Sequence, residues 1–152
     1  MWMGPKTETM QAVRSAEDAL EDLLKEHTTA EAKLDALRIK LDWARMAEAA
    51  RRQERDQTGL ALQLGADTTS ELEPANSAVK EAMETVWDVE QEIQAAKERI
   101  ALLDVKIDRA HAAVDVARRE HDAFALDEIV ATAPVLTELE KKIVQFSFQG
   151  RP

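Results

Sequence analysis

The chain has 152 residues, of which 45% are hydrophobic, and this is enough material for one domain with an apolar core. Four Gly, four Pro, no Tyr and no Cys disfavour strand-and-turn architectures and exclude disulfides and Cys-based metal sites, so we expect the all-α class. The formal net charge of −10 opposes plain nucleic-acid binding, which depends on Lys and Arg.

Neither a signal-peptide core nor a run of 18 apolar residues is present in the sequence. We therefore expect a soluble protein without a membrane partner. The absence of Cys fits a reducing compartment. A cytoplasmic protein, or a component of a virion, is the expected localisation.

The first predicted helix covers residues 7–57. Its apolar residues recur at alternating spacings of three and four, which is typical of the buried side of a coiled coil. These inner positions are Val13, Ala16, Leu20, Leu23, His27, Ala30, Leu34, Leu37, Leu41 and Ala44. A second apolar stripe, the outer stripe, includes Ile39, Trp43 and Met46 on another side of the same helix.

A hinge loop is predicted over residues 58–75. Gly59 and Gly65 lie on either side of residues 60–64 in this loop, and the stretch that follows, through Ser70, is rich in turn-forming residues. The first helix is therefore expected to break near Gly59.

The second predicted helix covers residues 76–131. Its inner positions continue the same spacing through Val79, Ala82, Val86, Val89, Ile93, Ala96, Ile100, Leu103, Ile107, Ala110, Val114, Ala117, His121 and Phe124. Its outer stripe includes Leu102, Val105, Val116, Leu126 and Val130. Pro134 is expected to end this helix, because proline lacks a backbone donor and restricts the preceding residue.

A short third helix is predicted over residues 133–148, with Leu139, Ile143, Phe146 and Phe148 as its apolar residues. Two interpretations stay open for this helix. It docks on its own chain, or it is presented to another protein.

The two long helices are predicted to form an antiparallel coiled-coil hairpin within a single domain, residues 1–152, since the hinge is too short for parallel pairing. Size matching favours a register in which paired residue numbers add to 137, which places Leu41 opposite Ala96 and Leu34 opposite Leu103. Registers of 130 and 144 also keep the inner positions in phase. A lone hairpin leaves the outer stripes in water, so we expect a homo-oligomer, a multi-helix bundle, or cover from a heterologous partner.

Catalytic chemistry has little support in the sequence. His27 and His121 lie on inner positions and are interpreted as polar residues that help to set the register. Asp108 and His111 form one Asp-x-x-His pair without the further carboxylates of a di-metal site. We predict no catalytic residues, no metal, no cofactor and no small-molecule substrate.

These observations favour a non-enzymatic structural or assembly protein that oligomerises through its helices. In composition and predicted architecture alone the chain resembles phage scaffolding and internal virion proteins and secretion-stalk proteins. One alternative is an acidic inhibitor or regulator that binds a basic site of a larger protein. A chaperone that clasps a partner helix is the other.

Overall fold

The structure is a computed structural model that describes the backbone of residues 5–67 and 69–149 and the side chains of residues 7–67 and 69–131. Over these ranges the chain forms two α-helices, α1 (Pro5–Gln63) and α2 (Thr69–Gln149), and no strand. The predicted all-α class and helical hairpin are confirmed.

Helix α1 continues past the predicted break near residue 57 and ends at Gln63. Gly59 lies inside the helix, and a Cβ atom at this position would meet nothing within 4 Å. A glycine in a helix interior costs only about 1 kcal/mol relative to alanine, so the flanking helical residues can offset it. The prediction of a break at Gly59 was therefore wrong.

Gly65 ends α1 through a capping motif. Its φ of 93° is left-handed, its N–H donates to the carbonyl of Leu62 (3.1 Å), and the Ala66 N–H donates to the carbonyl of Ala61 (2.9 Å). This pair of bonds is the Schellman arrangement, which satisfies carbonyls that have no partner further along the helix. Helix α2 begins at Thr69, so the interval between the two helices is far shorter than the predicted hinge loop of residues 58–75.

Helix α2 begins at Thr69 rather than near residue 76 and continues to Gln149. The predicted end near residue 131 and the separate short helix over 133–148 are both wrong for the backbone, because Pro134 lies inside one uninterrupted helix. A proline removes one helical hydrogen bond at a cost of about 3 kcal/mol, while the bonds on either side persist.

Backbone packing divides the chain into two compact units, where the sequence predicted a single domain. The first unit combines α1 up to Leu23 with α2 from Lys106 onward, and the second unit is Leu24–Val105.

In the second unit a hydrophobic cluster joins α1 to α2. Its buried members are Leu34, Leu37, Val89, Ile93 and Ala96, with Leu41 and Ile100 packed against them. Every buried hydrophobic side chain in the described part of the chain lies on one of the predicted inner positions. They are Val13, Ala30, Leu34, Leu37, Ala44, Val79, Val86, Val89, Ile93, Ala96, Leu103 and Val114.

The first unit has buried Val13 on α1 and buried Val114 on α2. Thr9 Oγ1 lies 2.8 Å from His121 Nδ1, and the Arg118 guanidinium donates to the Glu17 carboxylate at 3.0 Å.

The contacts in the second unit follow a register of 130, not the preferred 137. The cross-helix bond between His27 and Asp104, whose numbers add to 131, indicates this register. It places Leu34 level with Ala96, Leu37 with Ile93 and Leu41 with Val89, and all six belong to the cluster. His27 also departs from expectation, since its Nε2 donates to the Asp104 carboxylate at 2.8 Å instead of facing Ala110.

The short connection explains the register. Because α1 ends at Gln63 and α2 begins at Thr69, these two residues lie near the same level of the hairpin, and their numbers add to 132. Of the three registers that keep the inner positions in phase, 130 is the one nearest to this value. Turn length therefore outweighs the size matching of Leu with Ala.

Candidate functional site

In the second unit, the outer stripe of α1 is exposed. Ile39, Trp43 and Met46 are 59%, 70% and 65% exposed, and their spacing of four and three residues places them on one side of the helix. None of the three belongs to the cluster between the helices. The structure therefore brings these predicted interface residues together on the surface.

On α2 the predicted interface residues Leu102 and Val105 are exposed as well, at 65% and 48%. Leu103, the neighbour of Leu102, is only 3% exposed because it lies on an inner position. In the first unit Val116, Leu126 and Val130 are exposed, at 50%, 60% and 61%. All eight residues that the sequence singled out as an interface are thus open to solvent within this chain.

Other exposed apolar residues lie outside this set of eight, although the outward position of Trp87 in the sequence also indicates an interface or loop contact. Trp87 is 60% exposed, and Ile129, Leu60 and Leu64 are exposed too. Trp87 lies outside the c and f heptad positions from which the outer stripe was assigned. Leu60 and Leu64 fall in the predicted hinge loop, residues 58–75, which belongs to neither predicted helix. The sequence feature that could have identified these residues as exposed is a large apolar side chain at a position that is not an inner position.

A groove of about 670 Å³ lies between the two helices of the second unit. Its apolar lining is made of Ala30, Leu37, Ala95 and Ala96, so small side chains leave the helix backbones close to its surface. Charged and polar residues complete the lining: Lys25, Glu26, Thr29, Lys33, Glu92 and Arg99. Sequence patterns did not predict this groove, because it depends on the register.

The heptad pattern places further residues on the groove side of the unit. Trp43 follows Thr29 by two heptads, and Leu102 follows Ala95 by one, so each shares its heptad position with a residue of the groove lining. By the same count, Glu81 and Asp88 precede Ala95 by two heptads and one. This side of the unit therefore combines the groove, two large apolar residues and two acidic residues.

Some charges on this side are paired within the chain. Lys40 Nζ lies 3.8 Å from the carboxylate of Glu92. On the other side of the unit, the Arg45 guanidinium lies 3.5 Å from the Glu90 carboxylate. These cross-helix pairs are exposed, and pairs of this kind contribute under about 1 kcal/mol each.

Other charges on the groove side are not paired. Among the residues that the structure describes, Lys33 and Arg99 make no ion pair or side-chain hydrogen bond, although both line the same groove. The carboxylates of Glu81 and Asp88 have no partner in that part of the chain either. We call Lys33 with Arg99 the cationic patch, and Glu81 with Asp88 the acidic patch.

The described side chains contain no group of three or more His, Cys, Asp or Glu residues placed to hold a metal ion. His27 is surrounded by carboxylates, those of Asp104 at 2.8 Å and Glu31 at 3.3 Å, and His121 contacts Thr9. Both histidines therefore make contacts that join or brace helices. In the described ranges neither helix has an apolar stretch sufficient to cross a bilayer.

The predicted partner-binding residues of the C-terminal segment are Leu139, Ile143, Phe146 and Phe148. Their side chains lie outside the described residues. Their role remains a prediction from the sequence.

Comparison with known proteins adds no relative. No family model, no curated protein and no solved structure matches this chain.

Proposed function

We propose that this chain is a non-enzymatic assembly protein whose helical hairpin self-associates through its exposed apolar residues into a multi-helix, coiled-coil bundle. The observation that supports the proposal is the exposure of Ile39, Trp43 and Met46 on α1 together with Leu102 and Val105 on α2. Covering apolar surface is favourable by roughly 25 cal/mol per Å². Several large side chains in one unit therefore favour association over a lone hairpin.

The test is the mass of the purified chain in solution. Sedimentation equilibrium over a wide concentration range is expected to give an oligomer, and Leu102→Asp with Val105→Asp is expected to shift it to the monomer. Circular dichroism should show unchanged helicity, because neither residue belongs to the buried set. Ala101→Asp is the matched control, since Ala101 is an exposed neighbour outside the outer stripe. A wild-type monomer at all concentrations would contradict the proposal.

The groove of the second unit favours one further function, a clasp for the helix of another protein. Its small-residue lining of Ala30, Ala95 and Ala96 allows close approach of a third helix. The same sedimentation measurement separates the two functions. A clasp is monomeric alone and acquires a helical partner, whereas an assembly protein forms a homo-oligomer.

The acidic-regulator alternative has less support. A mimic of an acidic ligand requires acids concentrated on one uncovered surface, and here several acids pair with bases along the helices. Glu92 pairs with Lys40, Glu90 with Arg45 and Glu17 with Arg118.

A further inference from the structure

We infer that the groove side of the second unit binds a second copy of this chain in an antiparallel, two-fold arrangement, with the cationic patch of each copy opposite the acidic patch of the other. This inference rests on the proposed self-association and specifies the surface, the orientation and the charge contacts. It applies to the unit Leu24–Val105 alone.

Charge complementarity is the first argument. The two patches lie on one side of the unit, have opposite signs and lack partners among the described residues. Glu26 and Glu92 also line the groove, but Glu92 pairs with Lys40, and neither carboxylate is paired with Lys33 or Arg99 among the described residues. The two cations therefore favour carboxylates from another chain. A second copy supplies two carboxylates from Glu81 and Asp88.

The spacing of the patches is the second argument. In the register of 130 the cationic patch lies near the level of residue 32 of α1, and the acidic patch near the level of residue 45. At 1.5 Å per residue the two centres are separated by roughly 20 Å along the helices. A two-fold axis midway between them, near the level of Ile39, superposes each patch on its opposite, as a self-complementary interface requires.

The fit of Trp43 is the third argument. The same two-fold axis places Trp43 of one copy at the level of Ala36 and Ala95 of the other. A large indole that is 70% exposed thus faces small side chains, one of which lines the groove. Large aromatic side chains opposite small residues are typical of well-packed interfaces. Ile39 follows the groove-lining Lys25 by two heptads and lies close to the axis, so it is level with the same residue of the second copy.

The experiment uses two charge-reversed variants of the full chain. Variant A is Lys33→Glu with Arg99→Glu, and variant B is Glu81→Lys with Asp88→Lys. In each variant alone, both contacts of the two-fold pair become like-charge contacts, so the dissociation constant is expected to rise at least tenfold. In an equimolar mixture, A and B can pair with each other. The unchanged acidic patch of A then faces the unchanged cationic patch of B, and the new Glu residues of A face the new Lys residues of B. Both contacts are attractive, so association should recover.

Sedimentation velocity of A, B, their mixture and the wild-type chain gives the readout, and circular dichroism checks that helicity is retained. A second measurement compares the salt response of the wild type with that of a variant lacking the cationic patch, because NaCl screens both the patch contacts and the repulsion between two chains of net charge −10. Should a reversal reduce helicity, Lys33→Gln with Arg99→Gln removes the attraction with less disturbance. This neutral variant should associate more weakly than wild type, and added NaCl should strengthen its association more than that of the wild type, because only repulsion between the chains is left to screen.

The outcomes separate the two proposals. If the wild-type chain is monomeric, self-association itself is wrong. If the wild-type chain associates and both variants associate equally well, self-association stands and the inferred contacts are wrong. Weak association of A and of B without recovery in the mixture also overturns the inferred pairing of the patches.

Discussion

Leu102 and Leu103 are adjacent in α2, yet one is 65% exposed and the other is 3% exposed. The difference follows from the 3,4 spacing, on which only Leu103 is an inner position. The sequence therefore predicts which side of each helix is buried. It cannot show from one chain what covers Leu102.

This pair of leucines provides a matched test. Leu103→Ala is expected to lower the free energy of unfolding by about 2–5 kcal/mol, because it removes buried methyl groups and leaves a cavity. Leu102→Ala should change the unfolding of the dilute chain by less than about 0.5 kcal/mol, as is usual for surface positions. Urea unfolding at low concentration measures both, and equal losses would show that Leu102 is part of an intramolecular core.

Gly59 and Gly65 illustrate the limit of reading glycine as a helix breaker. Both are glycines near the end of α1 with nothing within 4 Å of an added Cβ, but only Gly65 has a positive φ. Gly65→Ala is expected to destabilise the chain by about 1–2 kcal/mol, because alanine is strained in a left-handed conformation.

Gly59→Ala serves as its control and should stabilise the chain by about 0.5–1 kcal/mol, since alanine is the better helix former. Thermal unfolding of both variants beside the wild type measures the two effects. Destabilisation by Gly59→Ala of the same size as by Gly65→Ala would argue that α1 breaks at Gly59 after all.

At the scale of the helices, the sequence predicts their number and inner sides better than their ends and register. Pro134 indicated a helix end, but one missing hydrogen bond does not outweigh the rest of an 81-residue helix. Size matching of Leu with Ala favoured 137, whereas the hairpin follows 130 because the turn at Gly65 is short. The Schellman bonds that shorten this turn involve backbone groups, which hydrophobic periodicity does not report.

The register can be tested by cross-linking, and the absence of Cys in the chain removes any background. Leu34→Cys with Ala96→Cys is expected to form an intramolecular disulfide under mild oxidation, because the register of 130 places these residues opposite each other. Leu34→Cys with Leu103→Cys is the matched control for 137. In the register of 130 its second cysteine lies roughly 10 Å further along α2, beyond disulfide reach. Preferential cross-linking of the control pair would show that the helices pair in the register of 137 instead.

At the scale of the whole molecule, the net charge of −10 disfavours the approach of two copies unless complementary charges meet. The sequence predicted exposed apolar residues, and the structure confirms their exposure in one chain. The pairing of opposite patches was not predictable, because it depends on the level of each residue in the hairpin and thus on the register. The groove depends on the register for the same reason.

Trp43 and Trp87 provide the sharpest test of which side of the hairpin associates. Both are largely exposed, at 70% and 60%, and their numbers add to 130, so they lie at one level of the second unit. Only Trp43 shares a heptad position with the groove lining. Trp43→Ala is expected to raise the dissociation constant of the self-associated chain more than tenfold, because truncated aromatic anchors commonly cost 2 kcal/mol or more, about thirtyfold in affinity.

Trp87→Ala is the control and should change the same constant less than threefold, since Trp87 lies away from the groove side. Fluorescence gives an independent readout, provided that Trp2 is replaced by Phe in every variant. In the chain with Trp2→Phe and Trp87→Phe, the emission of Trp43 should shift to shorter wavelength as concentration rises, because association removes the indole from water. The chain that retains only Trp87 should show no such shift. If Trp87 responds and Trp43 does not, the opposite side of the hairpin is the interface.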